Sequence, residues 1–252
     1  MLSVKNLSLS FFHKNIIDNI SFDVDKGETL AILGRNGSGK SILLKSVAGL
    51  LDTYSGEIRI NGRDVREYYS REVNVAENKT DIFRMSYVFQ KGGLFDSINI
   101  YDNIAFGLRR LGISEEEVHE RVSSSLERVG LKGSEEKFPS EISGGMQKRA
   151  GLARAICMEP GLILFDDPTA GLDPILSDSI SDLIIEIRDF LNTTSVIVTN
   201  DLKVAEKTAD RIALLYSGRF VCYTDTDDFF SGNNDYSKQF TQGELEGPID
   251  IL

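Results

Sequence analysis

Leu30-Ala31-Ile32-Leu33 runs straight into Gly34-Arg35-Asn36-Gly37-Ser38-Gly39-Lys40-Ser41, after which Ile42, Leu43, Val47 and Leu50 recur at helical spacing. A short, wholly apolar run reads as a parallel strand buried on both faces, and the recurrence after it as an amphipathic helix. Between the two lies the pattern G-x-x-x-x-G-K-[ST]. Phosphate groups need closely packed backbone N–H donors, and glycines let the chain turn so that those donors converge. A helix opening at Gly39 adds its positive dipole end. Lys40 can reach the β- and γ-phosphates, and the Ser41 hydroxyl can ligate Mg2+. The stretch predicts a strand–loop–helix unit that binds a nucleotide.

The flanking sequence extends this unit into an α/β fold. Upstream, Val4, Leu7 and Leu9, then Ile20, Phe22 and Val24, alternate with polar residues, as in an antiparallel sheet. Glu57-Ile58-Arg59-Ile60 reads as another strand, ended by Asn61-Gly62, a favoured hairpin turn. Residues Arg66 to Arg84 are polar and suggest a helix and a loop, and Met85 to Phe89 a strand. Tyr101 to Gly130 carries a helical pattern with Ser114 and Glu117 spaced as a capping box; Ser143 to Met158 predicts a further helix ending before Pro160. Leu162-Ile163-Leu164-Phe165 and Val196-Ile197-Val198 are buried-strand candidates, separated by a helix starting near Pro174. Ile212 to Tyr216 and Arg219 to Val221 close the pattern around Ser217-Gly218, and from Gly232 onward the chain is polar and reads as irregular.

Composition narrows the class. With 252 residues, 41% hydrophobic and 27% charged, and only 5 Pro, the chain is an ordinary globular protein rather than a fibrous or low-complexity one. Lys+Arg 28 against Asp+Glu 39 leaves a net charge of −11, a field that repels phosphate backbones and disfavours a nucleic-acid partner. Cys157 and Cys222, the only two cysteines, form no metal-spaced pattern and read as reduced, buried thiols. The start, Met1-Leu2-Ser3-Val4-Lys5-Asn6, lacks the basic and apolar regions of a signal peptide, and no run approaches the roughly 18 apolar residues that span a bilayer. A cytoplasmic protein is expected, with any membrane role left to a separate subunit.

Phe165-Asp166-Asp167-Pro168 ends the apolar run from Leu162. An acidic residue at the tip of a buried parallel strand faces the ligand crevice, so Asp166 can hold Mg2+ through its water shell; by itself the same pattern is also that of a plain strand-end turn. Between this motif and the glycine-rich loop lies Ile142-Ser143-Gly144-Gly145-Met146-Gln147-Lys148-Arg149, where Ser143, Gly144 and Gly145 open a helix. With these motifs in this order, the chain resembles the ATP-binding subunit of an ABC (ATP-binding cassette) transporter over nearly its full length. The family's signature is usually Leu-Ser-Gly-Gly-Gln, with Ile here for Leu and Met for the final Gln.

The resemblance implies a P-loop NTPase cassette, with a RecA-like core, an antiparallel β-subdomain and a helical subdomain. It implies a cassette domain over 1–232, a helical lobe over about 92–157 and a C-terminal tail over 233–252. ATP would contact Phe11, Gly34, Arg35, Asn36, Gly37, Ser38, Gly39, Lys40, Ser41 and Ile42. Ser143, Gly144 and Gly145 would bind the γ-phosphate held by the opposite subunit, so that two cassettes sandwich two ATPs. Asp173, in the D-loop Gly171-Leu172-Asp173, would lie at the dimer interface. Mg2+ would be held by Ser41, Gln90 and Asp166, and catalysis would rest on Lys40, Gln90, Asp167 and Asn200. Phe12 adjoins Phe11, and either ring can instead belong to the core. Two positions depart from the family: Asp167 stands where a catalytic Glu is usual, and Asn200 where a switch His is usual. Asp is shorter by one methylene, roughly 1.5 Å of reach, and a misplacement of about 1 Å can cost on the order of a hundredfold in rate. Asn can donate an amide N–H but cannot become cationic. Intact ATP binding with slow hydrolysis is expected, unless a small loop shift and a bridging water compensate.

Three segments resemble the ATPases of Mla/MCE-type lipid transporters: Met146 to Arg149, Phe89 to Ser97, and Gln239 to Ile249. That resemblance implies a homodimer on the cytoplasmic face of a bacterial inner membrane. The implied partners are a membrane permease, an MCE-domain lipid-binding protein and a small STAS-type accessory subunit. Leu94-Phe95 would offer the permease an apolar surface, ordinary core packing being the alternative. Alternatives for the whole chain are an importer ATPase for amino acids or ions and a regulatory ATP-binding module. Cassettes of DNA repair, chromosome organisation or translation usually carry coiled-coil insertions or a second cassette, and this sequence has neither.

Overall fold

The structure, a computed structural model, describes residues 1–12, 14–69 and 85–250. The chain divides into two compact units: residues 1–82 with 194–252, and residues 83–193.

The first unit opens with a hairpin of β1 (Leu2–Phe11) and β2 (Lys14–Val24). Val4 pairs with Phe22 and Leu7 with Ile20, so the alternation seen in the sequence puts one apolar face in the core. β3 (Thr29–Leu33) is buried at all five positions. The helix after it, α1 (Lys40–Val47), is shorter than its apolar spacing suggests. Gly49 turns left-handed at φ 68°, and Leu50 lies beyond the helix and is 52% exposed. β4 (Ser55–Ile60) pairs antiparallel with β1, and Asn61 and Gly62, both at positive φ, turn it into β5 (Arg63–Asp64). A 3-10 turn covers Val65–Tyr69; the remainder of the helix and loop expected up to Arg84 lies outside the described residues.

In the second unit β6 (Met85–Val88) runs parallel to β7 (Leu162–Asp166), with Met85 opposite Leu162 and Val88 opposite Phe165. The helical stretch predicted over Tyr101 to Gly130 is two helices, α2 (Ile100–Arg110) and α3 (Glu115–Arg128), parted at Gly112, φ 69°. Ser114 caps α3 by accepting the Glu117 N–H, but the Glu117 carboxylate turns to Arg121, so the capping box is half made. α4 (Gly144–Ile156) and α5 (Pro174–Leu191) complete the unit. Cys157 is buried here, and desolvation pushes its thiol up to about 12, which keeps it protonated and inert.

The chain then returns to the first unit through β8 (Thr194–Thr199), α6 (Leu202–Thr208), β9 (Arg211–Tyr216) and β10 (Arg219–Asp225). Within this unit the strand order is β10-β9-β3-β8, with β3 parallel to both β8 and β9 and β10 antiparallel to β9. α7 (Thr226–Phe230) follows. The segment expected to be irregular after Gly232 instead forms α8 (Asp235–Gln242), capped by the Asn234 side chain and ended by left-handed Gly243. Beyond it Ile249 is 6% exposed, packed into the core with Phe229 and Leu214. Arg35 donates to the Asp250 carbonyl at 2.8 Å, and the Asp250 N–H donates to the Tyr216 hydroxyl at 2.9 Å. Among the described residues no helix is long and apolar enough to cross a membrane.

Candidate functional site

The expected site residues divide between the units: Phe11, the loop from Gly34 to Ile42 and Asn200 lie in the first, the remainder in the second.

In the first unit, the loop leaves buried Leu33 and enters α1. A Cβ on Gly34 would lie 2.6 Å from the Leu215 carbonyl oxygen and 2.8 Å from Ser38 Oγ, so only glycine fits there. Gly37 and Gly39 have φ of 79° and 104°, and Gly39 caps α1 without a side-chain hydrogen bond. The Lys40 ammonium folds back across the loop, donating to the carbonyls of Gly34 at 2.7 Å and Arg35 at 3.0 Å. Ser38 Oγ is buried and has no hydrogen-bond partner among the described residues, as a cradle built for an additional polar group would leave it. Asn200 donates its amide to Asn36 Oδ1 at 3.0 Å, which holds it beside the loop. A cavity of about 370 Å3 adjoins the loop, lined by Lys14, Asn15 and Ile16, by residues 35–38 and by the 216–218 turn. Phe11 is 38% exposed and Phe12 fully exposed, so neither ring belongs to the core.

In the second unit, Asp166 ends β7 and is 7% exposed. The Tyr87 hydroxyl donates to its Oδ2 at 2.8 Å; burial and that bond push the phenol well above its ordinary range. Asp167, next in the chain, is left-handed at φ 48°, and Gln90 Nε2 donates to its Oδ2 at 3.3 Å. The Gln90 carbonyl accepts from Lys148 Nζ on α4, and Arg154 on the same helix donates to the carbonyls of Gly92 and Gly93. Burial depresses the Lys148 ammonium against the favourable field of Asp167. The segment after β6 is therefore strapped to α4 by two cations.

Ser143 caps α4, its Oγ accepting the Met146 N–H at 3.3 Å, and a Cβ on Gly144 would meet nothing within 4 Å. The start of this helix, at Ser143 and Gly144, is exposed. The Asp173 carboxylate caps α5, accepting from the N–H groups of Ile175 and Leu176. Phe95 is 45% exposed and lies against Phe106 at 5.0 Å, beside a cavity of about 520 Å3 that Tyr87, Phe89 and Met158 also line. It forms an exposed apolar surface rather than core.

Sequence reasoning missed Tyr87, Lys148 and Arg154, whose partners lie from 58 to 79 residues away. No local pattern marks such pairs; only the parallel register of β6 and β7 would have hinted at Tyr87. Each residue expected to hold Mg2+, Ser41 in the first unit and Gln90 and Asp166 in the second, offers a side-chain oxygen, the donor type that suits that ion.

A family model described as ABC transporter matches residues 17–170. The chain is 38% identical over 249 residues to a protein of Mycobacterium leprae (strain TN) named probable ribonucleotide transport ATP-binding protein mkl, covering 98% of this chain and 70% of that one. It is 36% identical over 250 residues to the intermembrane phospholipid transport system ATP-binding protein MlaF of Haemophilus influenzae, covering 99% and 93%. Among solved structures, it is similar to the ATP-binding cassette MJ0796, a dimer in a post-hydrolysis state bound to ADP and Pi. The TM-score is 0.78 at 26% identity, over 90% of this chain and 99% of that one.

Proposed function

The chain belongs to the ABC transporter family and is the ATP-binding, ATP-hydrolysing subunit of a transporter; from that premise we propose that its cargo is lipid. The observation that carries the cargo is the likeness to MlaF, which runs through 93% of that phospholipid-transport protein. Two copies would close on ATP and drive a membrane permease from the cytoplasmic face of a bacterial inner membrane. An MCE-domain lipid-binding protein and a STAS-type accessory subunit would complete the assembly. Residues 1–232 would form the cassette, with residues 92–157 as its helical lobe and 233–252 as the tail.

The roles of the residues follow from their chemistry. The loop amides and Lys40 bind and orient the triphosphate, and Phe11 would stack on adenine. Ser41, Gln90 and Asp166 would hold Mg2+, which when bound neutralises charge building on the phosphates. Ser143, Gly144 and Gly145 offer an open helix start to the γ-phosphate of the second copy. Asp173 would steady the segment at the dimer interface. Asp167, oriented by Gln90, would accept the proton of the attacking water, and Asn200 would donate its amide to the γ-phosphate. Lacking Glu and His at these two positions, the site cleaves ATP slowly.

Native mass spectrometry of the detergent-solubilised membrane complex tests the reading. The expected result is two copies of this chain with a permease and bound phospholipid. Recovery of the chain with ribosomes or DNA, or a complex with no lipid, would overturn it.

A further inference from the structure

β6 and β7 pair in parallel with Tyr87 opposite Leu164, and Leu164 and Asp166 are two residues apart on one strand. Side chains two apart share a face of the sheet, so Tyr87 projects on the face that carries Asp166 and reaches past Leu164 to it. The phenol meets the carboxylate at 2.8 Å, and its ring lies tilted against Phe89 at 4.6 Å. A buried carboxylate can rotate about its last torsion, and a metal held through water needs its oxygens in one orientation. The hydroxyl bond fixes that plane, and the Phe89 contact fixes the phenol.

We infer that Tyr87 is a positioning residue for the metal-bound nucleotide, acting through Asp166 and not touching the nucleotide itself. The inference rests on the proposed reading of Asp166 as a metal residue. Groups that orient a metal's ligands typically change its affinity by 10- to 100-fold when removed. A tyrosine hydroxyl that merely satisfied its own polarity would leave metal affinity unchanged.

Tyr87→Phe keeps the ring on Phe89 and removes one oxygen. The readout is Mn2+ bound to the full-length protein with ATP, followed by electron paramagnetic resonance with protein in excess of nucleotide. ATP binding in EDTA is measured alongside, and Asp166→Asn serves as reference. Tyr87→Phe is expected to weaken Mn2+ binding about tenfold while metal-free ATP affinity stays unchanged, with a larger Mn2+ loss in Asp166→Asn. Unchanged Mn2+ affinity in Tyr87→Phe beside a loss in Asp166→Asn overturns the role of Tyr87. No loss in either variant overturns the metal reading of Asp166 instead. Equal losses of Mn2+ and metal-free ATP binding in Tyr87→Phe would reveal a structural role and overturn the inference as well.

Discussion

Asp167 occupies a left-handed backbone position at φ 48°, a conformation that Asp and Asn tolerate better than longer side chains. Its carboxylate is held by Gln90 but reaches one methylene less far than Glu would. Asn200, bonded to Asn36, likewise fills its position with a neutral amide. Restoring both groups, by Asp167→Glu with Asn200→His, is expected to raise single-turnover ATP cleavage by up to about a hundredfold. Rapid-quench measurement checks this, and an unaltered rate would show that the departures are harmless. The two departures are visible as letters in the chain. The left-handed backbone under Asp167 and the bond from Gln90 are not, because both depend on contacts between distant segments.

At the scale of elements, local signals and long-range ones part company. Asn99, Ser114, Ser143 and Asp201 each cap the helix that follows, and such caps need only neighbouring residues. The segment after α8 is the opposite case. One isoleucine in a polar stretch has no periodicity to betray it, yet the Gln239 side chain brackets its backbone. Oε1 accepts the Ile249 N–H at 2.7 Å and Nε2 donates to the Ile249 carbonyl at 3.0 Å. Gly247 stands at φ 153°, where a Cβ would strike the Gln239 side chain at 2.5 Å. Ile249→Ala should therefore cost about 2–5 kcal/mol, the range for emptying a buried isoleucine site. Calorimetric melting reads this directly. A loss near zero would mean that the segment does not pack in solution.

Across the whole molecule, the parallel strands were legible because a strand buried on both faces carries an unbroken apolar run, as Leu30 to Leu33 in β3, Leu162 to Phe165 in β7 and Val196 to Val198 in β8 show; the boundaries of the two units were not, because the first is assembled from both ends of the chain. Glu28 gathers three of that unit's strand starts. Its carbonyl accepts from Ser195 near the start of β8, its carboxylate meets Arg211 at the head of β9, and β3 begins at the next residue. Burial alone would raise the Glu28 carboxyl, but the hydrogen bonds from Arg211 and the Asp25 N–H outweigh it and hold it below the ordinary range. A depressed carboxyl stabilises above its unfolded value and loses that contribution as pH falls through its folded one. Glu28→Gln should therefore melt lower than the wild type at pH 7, with the gap closing between about pH 5 and pH 3. Melting curves across that interval check it, and a constant gap refutes the linkage. The hold of Arg35 and Tyr216 on Asp250 has a practical corollary at this scale. A fluorescent label carried on residue 250 would sit at the doorstep of the glycine-rich loop. One on Lys5, exposed on β1, would ride on the antiparallel sheet instead.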